Sequence, residues 1–158
     1  MKKMCFSIFV VIIVTLTFSC SKSNNNNNGG PTSSEWTYSD TTFKGYITGY
    51  DSISLIPQIT SLDSLGNKIY VMFTVRPTIN SQYIVVADVF DSLNKGNYAT
   101  ISISRAHSNY DYSAVGKAGD IVTATIIDDK VHVTFSNISL YSFTGQTTIS
   151  GTLIQTIP

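Results

Sequence analysis

The sequence predicts an all-β domain, an antiparallel β-sandwich of about nine strands, on three observations. From residue 36 onward apolar residues recur with a period of two: Ile69, Val71, Phe73 and Val75 alternate with Tyr70, Met72, Thr74 and Arg76. Composition agrees, because Thr, Ser, Ile, Val and Tyr dominate and Glu35 is the sole glutamate. After residue 20 no stretch keeps helical spacing for three turns. Many short strands in one domain build a sandwich or a small, calycin-like barrel. Strand spacing does not separate the two, and the sandwich is favoured.

The expected strands are 42–49, 52–60, 68–76, 82–90, 98–106, 110–115, 120–127, 130–141 and 146–156. Pro57 cannot donate to a ladder, so 52–60 reads as an edge or broken strand. Turn chemistry follows at Leu65-Gly66-Asn67, Asn94-Lys95-Gly96-Asn97 and Lys117-Ala118-Gly119. Strand 82–90 is apolar on both parities and reads as central. Asp128-Asp129 is placed as a two-residue hairpin turn between Ile127 and Lys130. Between Phe135 and Ile138 the apolar parity flips, which predicts a bulge near Ser136-Asn137.

The chain opens differently. Lys2 and Lys3 precede an apolar run from Phe6 to Phe18, closed by Ser19-Cys20. This is a secretory signal, too short for the roughly 20 residues that span a bilayer. Its end resembles a bacterial lipobox, which makes Cys20 the lipidated first residue of the mature chain and attaches it to a membrane. Residues 1–19 are then signal peptide, 20–35 a polar Asn/Gly/Ser tether that buries nothing, and 36–158 one folded domain.

The mature chain carries eight basic and ten acidic residues, which excludes the basic stripe that nucleic acid requires. With Cys5 removed and Cys20 acylated, it has neither disulfide nor thiol. Its two histidines lack the spacing of a metal site, and no cofactor motif is present. His132 reads as a solvent-facing strand residue. No catalytic residues emerge, so the expectation is not an enzyme.

The most varied polar stretch is Arg105-Ala106-His107-Ser108-Asn109-Tyr110-Asp111-Tyr112. Arg105, His107, Asn109 and Asp111 offer hydrogen bonds while Tyr110 and Tyr112 offer stacking faces. Residues 105–112 are therefore the candidate ligand-binding loop, for a glycan or a peptide. A Ser108–His107–Asp111 triad is disfavoured, since neighbours on an extended chain point apart. A second pattern recurs as Asp40-Thr41-Thr42, Asp51-Ser52-Ile53, Asp63-Ser64-Leu65 and Asp91-Ser92-Leu93. It resembles the O-glycosylation signal of exported Bacteroidota proteins, which marks Thr41, Ser52, Ser64 and Ser92, although Asp-Ser is also ordinary turn chemistry.

The layout as a whole resembles the small β-rich lipoproteins of Bacteroidota. The resemblance is carried by Cys20, the Asn/Gly/Ser tether, residues 131–140 (Val-His-Val-Thr-Phe-Ser-Asn-Ile-Ser-Leu) and 148–153 (Thr-Ile-Ser-Gly-Thr-Leu). It implies an outer-membrane lipoprotein facing the periplasm or the cell surface, and it assigns no active site. Three functions follow: a non-catalytic binding domain for a glycan or envelope partner, an accessory lipoprotein of a membrane complex, and, last, a small hydrolase.

Overall fold

The computed structural model describes residues 33–51, 55–108 and 111–157. Cys20, the signal, most of the tether, Ser52, Asn109 and Tyr110 lie outside the described residues. Eleven strands follow one another: β1 (Glu35–Tyr38), β2 (Thr41–Lys44), β3 (Ile47–Asp51), β4 (Gln58–Leu62), β5 (Lys68–Phe73) and β6 (Ser81–Val85). Then come β7 (Tyr98–Ser104), β8 (Asp111–Ala114), β9 (Ile121–Ile127), β10 (Lys130–Ser142) and β11 (Gly145–Thr156). The all-β class therefore stands, in a single sheet of order β2-β1-β11-β10-β9-β6-β7-β5-β4-β3.

The two ends of that path, β2 and β3, are separated in the chain only by Gly45 and Tyr46. β2 pairs with β1 and β3 with β4, so the bent stretch 41–51 belongs to both ends. The sheet returns on itself as a barrel-like wall. Hydroxyls seal the corner: Ser34 Oγ accepts from Ile154 N (2.9 Å) and from Thr48 Oγ1 (2.8 Å), and Thr48 Oγ1 meets Ser61 Oγ (2.9 Å). Gly45 N donates to the Ser34 carbonyl at 2.8 Å. A Cβ on Gly45 would stand 2.3 Å from Ser61 Oγ and 2.7 Å from Ser34 Cβ, so only glycine fits.

β10 spans two neighbours. Its first half pairs with β9, its second with β8, and the register shifts between Phe135 and Ile138, where the parity flip placed the bulge. β8 also pairs with β7, so the gap between β7 and β10 holds one strand at one end and β6 with β9 at the other. Asp128 and Asp129 both adopt positive φ (48° and 56°), the geometry of a type I′ turn, as expected of that hairpin.

Several boundaries differ from expectation: Glu35–Tyr38 is a strand outside the nine expected, 68–76 ends at Phe73 and 98–106 at Ser104, and three further differences have a visible physical reason. The 42–49 stretch breaks at the Gly45 corner. In the 52–60 stretch residues 52–54 lie outside the described residues, 55–57 are not strand, and β4 starts after Pro57, whose carbonyl accepts from Phe73 N at 2.9 Å. The 82–90 stretch ends at Val85 because β6 runs parallel to β7, the one parallel pair among the described residues, and parallel neighbours need a crossover. Residues 86–97 supply it, with a one-turn 3₁₀ segment at Phe90–Ser92.

One core fills the wall's inner face. Ile59, Ile69, Val71, Phe73, Ile101, Val131, Val133, Ile138, Leu140, Ile149 and Leu153 are fully buried within it. Trp36 and Tyr38 join from β1, and Trp36 stacks on Phe43 at 5.8 Å. Parity thus sorts most of the wall into an apolar inner and a more polar outer row, with exceptions such as exposed Ile84 and Ile121, and a one-residue slip would exchange the rows.

Candidate functional site

The turns after β4, β7 and β10 gather at one end of the wall. Ala106 N donates to Asn67 Oδ1 (3.1 Å), tying the 105–110 connection to the β4–β5 turn. That turn is built by Asp63, which is buried and accepts from Leu65 N, Asn67 N and Asn67 Nδ2 at 2.7–2.8 Å. Arg105 and His107 are exposed, and His107 takes positive φ (61°) in a turn where Ser108 N donates to Arg105 O. Asp111 is exposed opposite Ser104.

Tyr112 is placed differently. It sits opposite Ile103, a core residue, and so faces inward. Its ring meets Tyr38 edge-on at 5.0 Å and its hydroxyl bonds Thr144 Oγ1. Hydrogen bonds from Thr144, Tyr38 and Ser142, with a smaller contribution from the Arg105 charge, lower the phenol to about 8. Burial raises Tyr38, and its bond to Tyr112 adds to the shift. The hairpin therefore gathers Arg105, His107 and Asp111 on the surface, while Tyr112 ties the β7–β8 and β10–β11 connections together.

Among the described residues, the modification candidates Thr41, Ser64 and Ser92 lie in or beside turns. Thr41 is exposed and follows Asp40, whose φ is 59°. Ser64 is exposed beside Asp63, whereas Ser92 is half-buried and its carbonyl accepts from Lys95 N. His132 is half-buried between Thr125 and Ile154. Among the described residues no cluster of three or more His, Cys, Asp or Glu is placed to hold a metal ion, and no helix is long and apolar enough to cross a membrane.

The larger concavity lies on the outer face of β1, β11 and β10. Two recesses, about 620 Å³ and about 230 Å³, share Thr37 and Ser150 and form one trough along β11. Short side chains make it. Thr134, Ser136, Ser150 and Thr152 occupy the outward parity, and the β10 bulge adds Asn137. Neighbouring bonds hold these groups: Thr37 with Thr42 (2.9 Å), and Asn137 N to Ser150 Oγ (2.8 Å). Glu35 stands in the larger recess and Asp40 in the smaller, and among the described residues no lysine, arginine or tyrosine lines either.

That trough was not singled out in the sequence, because alternate Ser and Thr look like any solvated strand face. The available signal was their recurrence at outward positions of three adjacent strands, readable only once register is known. Chemically the trough offers acceptors and hydroxyl donors but no activated nucleophile or base pair. Comparison with protein-family models, with curated proteins and with solved structures finds no match for this chain.

Proposed function

We propose that this chain is a non-catalytic binding domain, held on the outer membrane through lipidated Cys20, whose trough along β11 takes a neutral glycan. The observation that carries the reading is the trough's lining. Ser and Thr hydroxyls both donate and accept, and carboxylates accept from paired sugar hydroxyls. The same lining disfavours a polyanion, which meets Glu35 and Asp40 with no cation among the described lining residues. Short side chains already hydrogen-bonded to one another lose little entropy on binding. Between Thr147 and Thr152 the trough runs roughly 17 Å at about 3.4 Å per residue, enough for several sugar rings.

Binding on an array of neutral and acidic glycans tests the reading, with Ser150→Tyr to fill the trough. Neutral glycans should bind in the wild type and be lost in that variant, while Tyr112→Ala leaves them bound. A blank array refutes the function. Loss of binding in the Tyr112 variant alone moves the site to the 105–112 hairpin.

A further inference from the structure

The opposite end of the wall holds a recess of about 410 Å³ with a contrasting lining: Tyr50 from β3, Arg76, Pro77 and Ile79 from the β5–β6 connection, Ile126 from β9, and Ile157 beyond β11. Its walls are apolar apart from the Tyr50 hydroxyl, the Arg76 guanidinium and Thr78. Tyr50 is only 9% exposed, and its hydroxyl bonds Arg76. Burial, above all, raises this phenol, so it stays a neutral donor at physiological pH. Asp51 is the other charge near Tyr50; as the next strand residue it turns to the opposite face and lines a neighbouring recess with Gln58 and Thr60, whose wall Tyr50 shares. The charge facing the apolar space is that of Arg76.

The recess is built rather than incidental. Tyr83 Oη donates to the Val75 carbonyl (3.0 Å) and Thr78 N to Ser81 Oγ (2.9 Å), which fixes the β5–β6 connection. Ile157 N donates to the Asp129 carbonyl at 2.9 Å, which pins the chain beyond β11 against the β9–β10 turn. Walls from four separate segments are thus held before any ligand arrives, and pre-formed sites of about 300–1,000 Å³ with few polar groups are those that take small molecules. Ile79 remains 72% exposed at the lip, an apolar side chain without cover.

We propose that this recess binds a free aliphatic carboxylate, its chain against Pro77, Ile79, Ile126 and Ile157 and its headgroup on Arg76 and the Tyr50 hydroxyl. At about 410 Å³ the recess falls in the size range of small-molecule sites, and a medium-chain acid is the simplest ligand with this chemistry. A guanidinium beside a phenol supplies converging donors for one carboxylate, and the low-dielectric walls strengthen that attraction. This site is separate from the trough and does not depend on the glycan reading.

Isothermal titration of the lipid-free full domain with dodecanoate below its micelle concentration, and with dodecyltrimethylammonium, tests the proposal. Dodecanoate should bind one to one and the ammonium amphiphile should not saturate. Arg76→Gln and Ile79→Ser, both at exposed positions, should each weaken dodecanoate at least tenfold without moving the thermal midpoint by more than a few degrees, and Ser150→Tyr should leave it unchanged. Absence of saturable dodecanoate binding overturns the site. Equal binding of both amphiphiles, or full affinity in Arg76→Gln, overturns the headgroup assignment.

Discussion

Gly45→Ala should destabilise the domain by about 3.5–5.5 kcal/mol, because the two ends of the sheet meet at that residue. The added methyl would stand 2.3 Å from Ser61 Oγ and 2.7 Å from Ser34 Cβ, where ordinary contact begins near 3.4 Å. Ser61 Oγ can rotate away, at the loss of its 2.9 Å bond to Thr48. Ser34 Cβ cannot, so β1 must move by about 1 Å relative to the corner. That movement stretches the 2.8–2.9 Å bonds from Thr48 and Ile154 to Ser34 beyond useful length. Crowding costs about 1–3 kcal/mol and each lost hydrogen bond about 1 kcal/mol, while the stiffer unfolded chain returns about 0.5 kcal/mol. For a domain of this size the melting midpoint should fall by roughly 14–22 °C, taking about 4 °C per kcal/mol. Differential scanning calorimetry reads the shift, and Gly49→Ala, where nothing lies within 4 Å, is the matched control expected to be near neutral. A loss under 3 °C in Gly45→Ala, or equal losses in both variants, refutes closure through this corner.

Absorbance at 295 nm should show one tyrosine ionising near pH 8, absent in Tyr112→Phe and moved toward 10 in Thr144→Val. Because the folded phenol sits below its ordinary value of 10, its stabilising contribution is complete above pH 10 and is lost as pH falls through about 8; urea melts of wild type against Tyr112→Phe should converge below that point. Asp63→Ala strips two backbone donors in the β4–β5 turn of a charged acceptor and should cost about 2–3 kcal/mol by chemical denaturation; a change under 0.5 kcal/mol would show the turn holds without it. Cys20→Ala should release the protein from membranes on fractionation, and unchanged retention refutes the lipid anchor. Protein from the native host should exceed the mass of protein made without glycosylation machinery if Thr41, Ser52, Ser64 and Ser92 are modified, and equal masses after allowing for lipid refute it.

Much of the wall was legible because its signals are local. The Asp128-Asp129 turn and the parity flip at Ser136-Asn137 each concern a few adjacent residues, and both appear where the alternation placed them. Closure was not legible. Gly45 sits inside a run that alternates like any strand, and the hydroxyls that require it to be glycine come from Ser34, Thr48 and Ser61 on three different segments. β6 shows the same limit. Its two-sided apolar character marks a central strand, but nothing local says that its neighbour β7 runs parallel and that the chain must leave the sheet at Val85 to reach it.

The candidate sites fail to show in the sequence for a related reason: a residue's type is local but the direction it faces is not. Tyr112 carries the chemistry of a stacking platform, and its alternation with Asp111 says only that the two point apart. Pairing with Ile103 decides that Tyr112 is the inward one. The trough inverts the case. Thr134, Ser150 and Thr152 are unremarkable singly, and they become a concavity because register sets Thr152 beside Thr134 and the bulge sets Asn137 beside Ser150. Arg76 and Tyr50 lie on opposite sides of β4 in the chain and meet only once β3 and β5 have both paired with it. Where a site is assembled across strands, register carries the information. A variant that shifts β11 by one residue against β10 would therefore erase the trough while leaving its composition intact.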